Sequence, residues 1–199
     1  MRVIGITGGV GSGKSLVLNY LAEKYDSRVV KADEVGHLLM RPGKQCYQPV
    51  IDVFGVKIVN EDGTLNRKAI AEIAFSEPIM LKRLNRIIHP AVKEYIKSEI
   101  RKAREDEIAY FFVEAALLIE DGYGGIYDEL WGVYCEETVR QERLQLERGY
   151  TKEHIDSLIK NQLSPEEYEA HCDFMIYNSE DREHTYLQID RRMRTYEIM

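Results

Sequence analysis

The sequence predicts an α/β fold, a parallel sheet flanked by helices. Three features of its 199 residues carry that prediction. Short apolar runs alternate with stretches of helical periodicity, the order that strand–helix–strand units require. One run, Ile108-Ala109-Tyr110-Phe111-Phe112-Val113, is apolar at consecutive positions, as a central parallel strand buried on both faces must be. A glycine-rich segment joins the first apolar run to the first helical stretch, and open α/β sheets bind ligands at such strand ends.

Taken in order, the expected strands are Arg2–Thr7, Arg28–Ala32, Ile108–Glu114, Leu130–Cys135 and Phe174–Tyr177. A helix over Ser15–Lys24 follows the glycine-rich segment. Between the second and third strands lies Glu34–Asp106, far longer than one crossover helix. Helical patterns fall near Arg67–Phe75 and Leu81–Ile100, with Leu84, Ile88, Val92, Tyr95 and Ile96 on one face. Pro90 lacks an amide hydrogen and is expected to kink or divide the second of these. Two charged helices, about Thr138–Arg148 and Lys152–Gln162, have the character of a lid. A last helix, roughly Asp181–Tyr196, is expected to pack back on the sheet, with Arg191, Arg192 and Arg194 as a solvated face. With no internal repeat, low-complexity tract or linker, residues 1–199 read as one domain. It carries a helical insertion over about 34–106 and a lid over about 138–165.

Composition narrows the function. Hydrophobic residues make up 44% and charged residues 31%, enough for a core and a solvated surface. No apolar run approaches the roughly 18 residues that span a bilayer. Arg2 leads directly into a strand, so no secretory leader is expected. Cys46, Cys135 and Cys172 stand far apart and odd in number, which fits reduced thiols in a cytoplasmic protein rather than disulfides or a zinc site. A net charge of -7 argues against a nucleic-acid partner, which needs a broad basic face. Small-molecule partners are expected, with no membrane and a monomer or weak homo-oligomer.

Gly8-Gly9-Val10-Gly11-Ser12-Gly13-Lys14-Ser15 satisfies the phosphate-loop pattern G-x-x-x-x-G-K-S/T in full, between a strand and a helix. The glycines let successive amide hydrogens turn inward onto phosphate oxygens, and the helix that starts there adds its positive end. Lys14 is expected to reach the β- and γ-phosphates of ATP, and the Ser15 hydroxyl to coordinate Mg2+. The fold class is therefore a P-loop NTPase-type parallel sheet.

The acids and arginines leave alternatives open. Asp33 reads as the end of the second strand, either accepting a proton from an attacking hydroxyl or capping the following helix. Glu114 closes the third strand, serving near the magnesium or pairing with a lysine; Glu120, six residues on, is a weaker candidate. Arg140, Arg143, Arg148 and Lys152 punctuate the lid, either neutralising phosphate charge on closure or pairing with Glu142 and Glu147 on a solvated helix. His89 lines an acceptor pocket or hydrogen-bonds across the Pro90 kink.

Several segments together resemble the dephospho-CoA kinase family. The opening Ile4-Gly5-Ile6-Thr7-Gly8-Gly9-Val10-Gly11-Ser12-Gly13-Lys14-Ser15 is similar to its P-loop. So are Ala32-Asp33 with Pro42-Gly43, then Asp62-Gly63-Thr64-Leu65-Asn66-Arg67 and His89-Pro90-Ala91-Val92. Glu114-Ala115-Ala116-Leu117-Leu118-Ile119-Glu120 resembles its acid-x-Pro-Leu-Leu-Phe-Glu motif, and Arg143-Leu144, Gln162 and Asn178 fall where members carry the same residues. The resemblance spans nearly the whole chain in order. It implies transfer of phosphate from ATP to the ribose 3′-hydroxyl of dephospho-CoA. Asp33 would orient or deprotonate that hydroxyl, and Arg143 would supply lid charge. Arg148 would assist at the phosphates, Asn178 would lie near adenine, and Arg67, His89 and Glu114 would serve the acceptor side. Three positions depart from the pattern. Lys31 replaces the first aspartate of Asp-x-Asp, Ala116 and Ile119 replace proline and phenylalanine, and Glu147 falls near the place of a second lid arginine, with Arg148 after it.

Competing readings are a nucleoside monophosphate kinase, which lacks the segments around Arg67 and His89-Pro90, and a regulatory NTPase. The latter needs an Asn-Lys-x-Asp guanine motif, which this sequence does not contain.

Overall fold

The structure, a computed structural model, describes residues 1–115, 118–119, 123 and 125–197. The expectations placed on Ala116, Leu117 and Glu120 lie outside the described residues. The chain divides into two compact units, Met1–Val29 with Ala103–Met199, and Val30–Lys102.

In the first unit, β1 (Arg2–Thr7), β3 (Tyr110–Glu114), β4 (Glu129–Tyr134) and β5 (Phe174–Tyr177) join β2 (Ser27–Lys31) in a five-stranded parallel sheet of order β2-β3-β1-β4-β5. Each of the five strands overlaps the span expected from sequence, with ends moved by up to two residues. The central position of β1 explains its composition. With β3 on one edge, β4 on the other and helices over the faces, Val3, Ile4 and Ile6 are at most 1% exposed. Phe111, Phe112 and Val113 of β3 are likewise fully buried.

Two helices seal this sheet. α1 (Lys14–Lys24) contributes Val17, Leu18 and Leu21, and α9 (Arg182–Glu197) contributes Ile189 and Met193, to a core built on Ile4, Ile6, Phe112, Trp131, Val133 and Ile176. Each such aliphatic side chain contributes about 1.5–3 kcal/mol on full burial. Polar ties fix α9. Asp190 accepts from Tyr20 (2.8 Å), Tyr25 (2.8 Å) and Lys24 (2.6 Å). Glu129, the first residue of β4, accepts from Arg2 (3.0 Å), Trp131 Nε1 (3.0 Å), Arg192 (2.9 Å) and the Tyr196 hydroxyl. Arg192 is thus an ion-pair partner of a half-buried carboxylate, not part of a solvated basic run; the C-terminal helix has to satisfy Glu129.

Three short helices lie between β4 and β5: α6 (Glu137–Arg148), α7 (Lys152–Lys160) and α8 (Pro165–His171). α6 stops where Gly149 adopts a left-handed φ of 63°, and α7 starts on a Thr151 cap. α8, unexpected from the charge pattern, is set by a Ser164/Glu167 capping box with Pro165 at its first position.

The second unit holds α2 (Ala32–Leu39), α3 (Tyr47–Phe54), a 3-10 turn (Val56–Ile58), α4 (Arg67–Ser76) and most of α5 (Pro78–Glu105) around Val50, Phe54, Ile58, Leu65 and Ile70. Two expectations are corrected here. Pro90 does not divide its helix: α5 runs 28 residues through it. The ring sits exposed while Ala91, Val92, Ile96 and Ile100 are buried, so packing outweighs the lost hydrogen bond, a cost of about 3 kcal/mol. Asp33 does not end a strand. β2 stops at Lys31 and α2 starts at Ala32, which puts Asp33 and Glu34 in the first turn of a helix, where the dipole favours carboxylates by about 0.3–1 kcal/mol. The cap is Lys31, whose side chain pairs with Glu34 at 3.0 Å, so Asp33 is not the helix cap either. Among the described residues, no helix is long and apolar enough to cross a membrane.

Candidate active site

The glycine-rich segment leaves β1 at Thr7 and enters α1 at Lys14. Gly13 is the cap residue of α1 at φ 94°, and no side chain caps the helix. A Cβ there would stand 1.9 Å from Asn178 Nδ2, so both the left-handed backbone and the close neighbour demand glycine. The first-turn amides of an α-helix that lacks a side-chain cap form a ready anion site. Lys14 Nζ folds over the loop, donating to the carbonyls of Gly8 (2.7 Å) and Gly9 (3.1 Å), and lies 4.0 Å from Glu114 Oε1 at the end of β3. Ser15 is exposed in the first turn of α1. The Ser12 hydroxyl is buried with no hydrogen-bond partner among the described residues.

The segment after β4 contacts this loop through several side chains. Arg140 Nε donates to the carbonyl of Val10 (2.9 Å), and its terminal nitrogen donates to Gln162 Oε1 (2.5 Å). Gln162 Oε1 also accepts the Val10 amide hydrogen (3.2 Å). Gly9 makes the approach possible: a Cβ there would stand 2.6 Å from both the guanidinium and the carboxamide oxygen. Leu144, one turn beyond Arg140 on α6, lies against Gly11, where a Cβ would be 3.0 Å from its Cγ. Burial holds the Arg140 guanidinium below its ordinary pKa, with no carboxylate among the hydrogen bonds it makes here.

Arg143 reaches the loop at Gly13, where a Cβ would stand 3.6 Å from its Nη1. Arg143 donates to Cys135 Sγ (3.4 Å), a thiol whose pKa burial raises although Arg143 pulls it down. Arg148 is exposed at the last position of α6. The sequence put lid charge at Arg143, and the structure sets Arg140 on the loop as well. Helical phase about α6 was the available signal, since Arg140 shares its stripe with the apolar Leu144.

Asn178, just past β5, is 1% exposed and both ends of its amide are occupied. Nδ2 donates to the Ser12 carbonyl (2.8 Å), while Oδ1 accepts from Thr185 (2.9 Å) on α9. Its side chain therefore grips the phosphate loop. Thr185 went unnoticed in the sequence because one threonine on a helix carries no signal.

Within the second unit, Asp33 and His37 lie one turn apart on α2, and burial together with Arg67 lowers the His37 pKa against the pull of Asp33 and Glu34. Arg67 opens α4 because Asn66 caps it, accepting from the Ala69 amide (3.0 Å). The turn before it is fixed by Asp62, which accepts from the Thr64 amide (2.9 Å) and hydroxyl (2.6 Å) across Gly63. His89 is half-buried on α5. Ser15 and Glu114 offer hard oxygen donors beside the phosphate loop, a set that fits Mg2+, which takes one or two protein oxygens and completes its shell with phosphate and water.

A phosphate loop between the central strand and the first helix, with Arg140 and Gln162 closed on it, defines a P-loop phosphotransferase. The family model for dephospho-CoA kinase matches residues 2–183. The chain belongs to the dephospho-CoA kinase family. It is 34% identical over 179 residues to the dephospho-CoA kinase of Dehalococcoides mccartyi, covering 90% of this chain and 89% of that one. It is 35% identical over 191 residues to that of Aquifex aeolicus, covering 96% and 95%. Among solved structures, a Thermus thermophilus protein superposes with a TM-score of 0.83 at 26% identity, covering 98% and 97% of the two chains. A shikimate kinase from Acinetobacter baumannii shares the fold alone, with a TM-score of 0.57 at 12% identity over 99% and 94%.

Proposed function

We propose that this chain transfers the γ-phosphoryl group of ATP to the ribose 3′-hydroxyl of dephospho-CoA, releasing CoA and ADP. A new O–P bond forms at the 3′-oxygen, the bond from the γ-phosphorus to the bridging oxygen breaks, and ADP leaves with that oxygen. The hydroxyl proton passes to Asp33 and then to solvent. The loop amides from Gly8 to Gly13 and the α1 N-terminus hold phosphate oxygens, while Lys14 turns from the Gly8 and Gly9 carbonyls to the β- and γ-phosphates. Ser15 and Glu114 would hold Mg2+, which neutralises phosphate charge when bound. Arg140 and Arg143, both beside the loop, offset charge on the transferring group, with Arg148 at the end of α6. Arg67 and His89 serve the acceptor. The free thiols Cys46, Cys135 and Cys172 support cytoplasmic work.

The observation that carries the phosphotransfer reading is the complete loop joined to Arg140 and Gln162; the acceptor follows from the family. The test is a coupled ADP-release assay with ATP and magnesium, comparing dephospho-CoA with AMP, dTMP and no acceptor. ADP release dependent on dephospho-CoA, with CoA identified by mass, is the expected result. Release with a nucleoside monophosphate instead would overturn the acceptor.

A further inference from the structure

We propose that Gln162 is a built-in competitor for nucleotide phosphate: its carboxamide oxygen occupies, between the Val10 amide and the Arg140 guanidinium, the place that a phosphate oxygen of ATP takes. This rests on the kinase reading above and adds a residue that tunes its nucleotide affinity. A phosphate-loop amide and a lid arginine are both donors meant for an anion. Here both donate to one neutral acceptor, at 3.2 Å and 2.5 Å. The acceptor is held in place independently, since Gln162 follows α7 in a turn closed by its own amide on the Ile159 carbonyl (3.1 Å). The arrangement is seated, not grazing, because a methyl group at Gly9 would collide with the guanidinium and the carboxamide oxygen alike. Arg140 keeps its second bond, to the Val10 carbonyl (2.9 Å), so the guanidinium stays docked when Gln162 yields. Phosphate binding therefore exchanges a neutral acceptor for a charged one at donors already aligned. The loop amide and the guanidinium are satisfied in both states, which keeps the empty loop ordered at the expense of some ATP affinity.

The test compares wild type, Gln162→Leu and Gln162→Glu as full chains, by calorimetric titration with the β,γ-imido analogue of ATP and magnesium, without acceptor. Leucine keeps the volume and removes the acceptor; the analogue should bind about threefold tighter or more, the scale of one hydrogen bond. Glutamate places a charged acceptor on the same donors and should weaken binding by about tenfold. A residue that merely holds the lid together would lose affinity in both variants, so a Leu variant that binds no tighter than wild type overturns the proposal. Should that variant fail to fold, NMR of the wild type decides. The Gln162 side-chain amide and Val10 amide resonances must both shift on saturation with the analogue, and their staying fixed overturns it. The wild type is also assayed for ADP release with dephospho-CoA. Normal turnover with an unchanged Leu variant sinks only the competitor, and opposite-signed affinities without turnover sink only the acceptor assignment.

Discussion

Replacing Asn178 by alanine separates two roles for a residue that is expected near adenine from the family resemblance and that the structure ties to the phosphate loop. The substitution removes two hydrogen bonds, to the Ser12 carbonyl (2.8 Å) and from Thr185 (2.9 Å). Thr185 retains the Asp181 carbonyl at 3.3 Å, so its loss is small. The Ser12 carbonyl loses its side-chain donor at a position where Asn178 itself is 1% exposed, and an abandoned buried acceptor costs about 1–3 kcal/mol. Taking about 2 kcal/mol, the melting temperature of a chain this size should fall by about 4–8 °C. The loop that Ser12 belongs to then pays an ordering cost on binding any phosphate ligand. ATP and inorganic tripolyphosphate should weaken by a similar factor, on the order of tenfold if ordering costs about 1.4 kcal/mol. Differential scanning fluorimetry and paired titrations with the two ligands read both effects. An unchanged melting temperature with a loss confined to ATP would refute the loop-anchor reasoning and return Asn178 to the adenine.

Lys14→Ala should lower turnover by about a hundredfold or more, because a positioned cation on developing phosphate charge is removed; steady-state ADP release checks it, and near-normal kcat would displace the lysine from the mechanism. Asp33→Ala should lower kcat by at least about tenfold while leaving ATP affinity nearly unchanged, read by kinetics beside a nucleotide titration. Glu129 gives a pH signature. Burial alone would raise its pKa, but hydrogen bonds from Tyr196, Trp131 and Arg192 outweigh it and hold the carboxyl below its ordinary 4.5. A carboxyl depressed in the folded state stabilises above that ordinary value and loses its contribution as pH falls through the folded pKa. Glu129→Gln should therefore lower the melting temperature at pH 7 and narrow its gap from wild type below about pH 4.5, as thermal melts across pH 3–7 would report.

The phosphate loop and the strands were legible because they are written locally. A strand followed by glycines, lysine and serine dictates its backbone within a dozen residues, and two-faced burial leaves an unbroken apolar run in β3. Where local signals compete, packing decided. Pro90 carries a breaker's signal, yet α5 continues through it because the buried residues after it hold the helix together. Asp33 reads as a strand end because Val29 and Val30 precede it, whereas α2 already starts at Ala32.

By itself the sequence determined the phosphate cradle, the parallel sheet around it and, through order-preserving motifs along the chain, the family. Tertiary structure alone decided which side chains close on the cradle. Arg140 and Arg143 came to the loop while Arg148 stayed exposed, Gln162 met the Val10 amide, and the Asn178 carboxamide met the Ser12 carbonyl. Those contacts join residues 130, 152 and 166 positions apart; the apolar Leu144 marks a stripe of α6, but no local pattern encodes that this stripe will face a loop so distant. That choice is made by the phase of α6 once Leu144 has packed against Gly11.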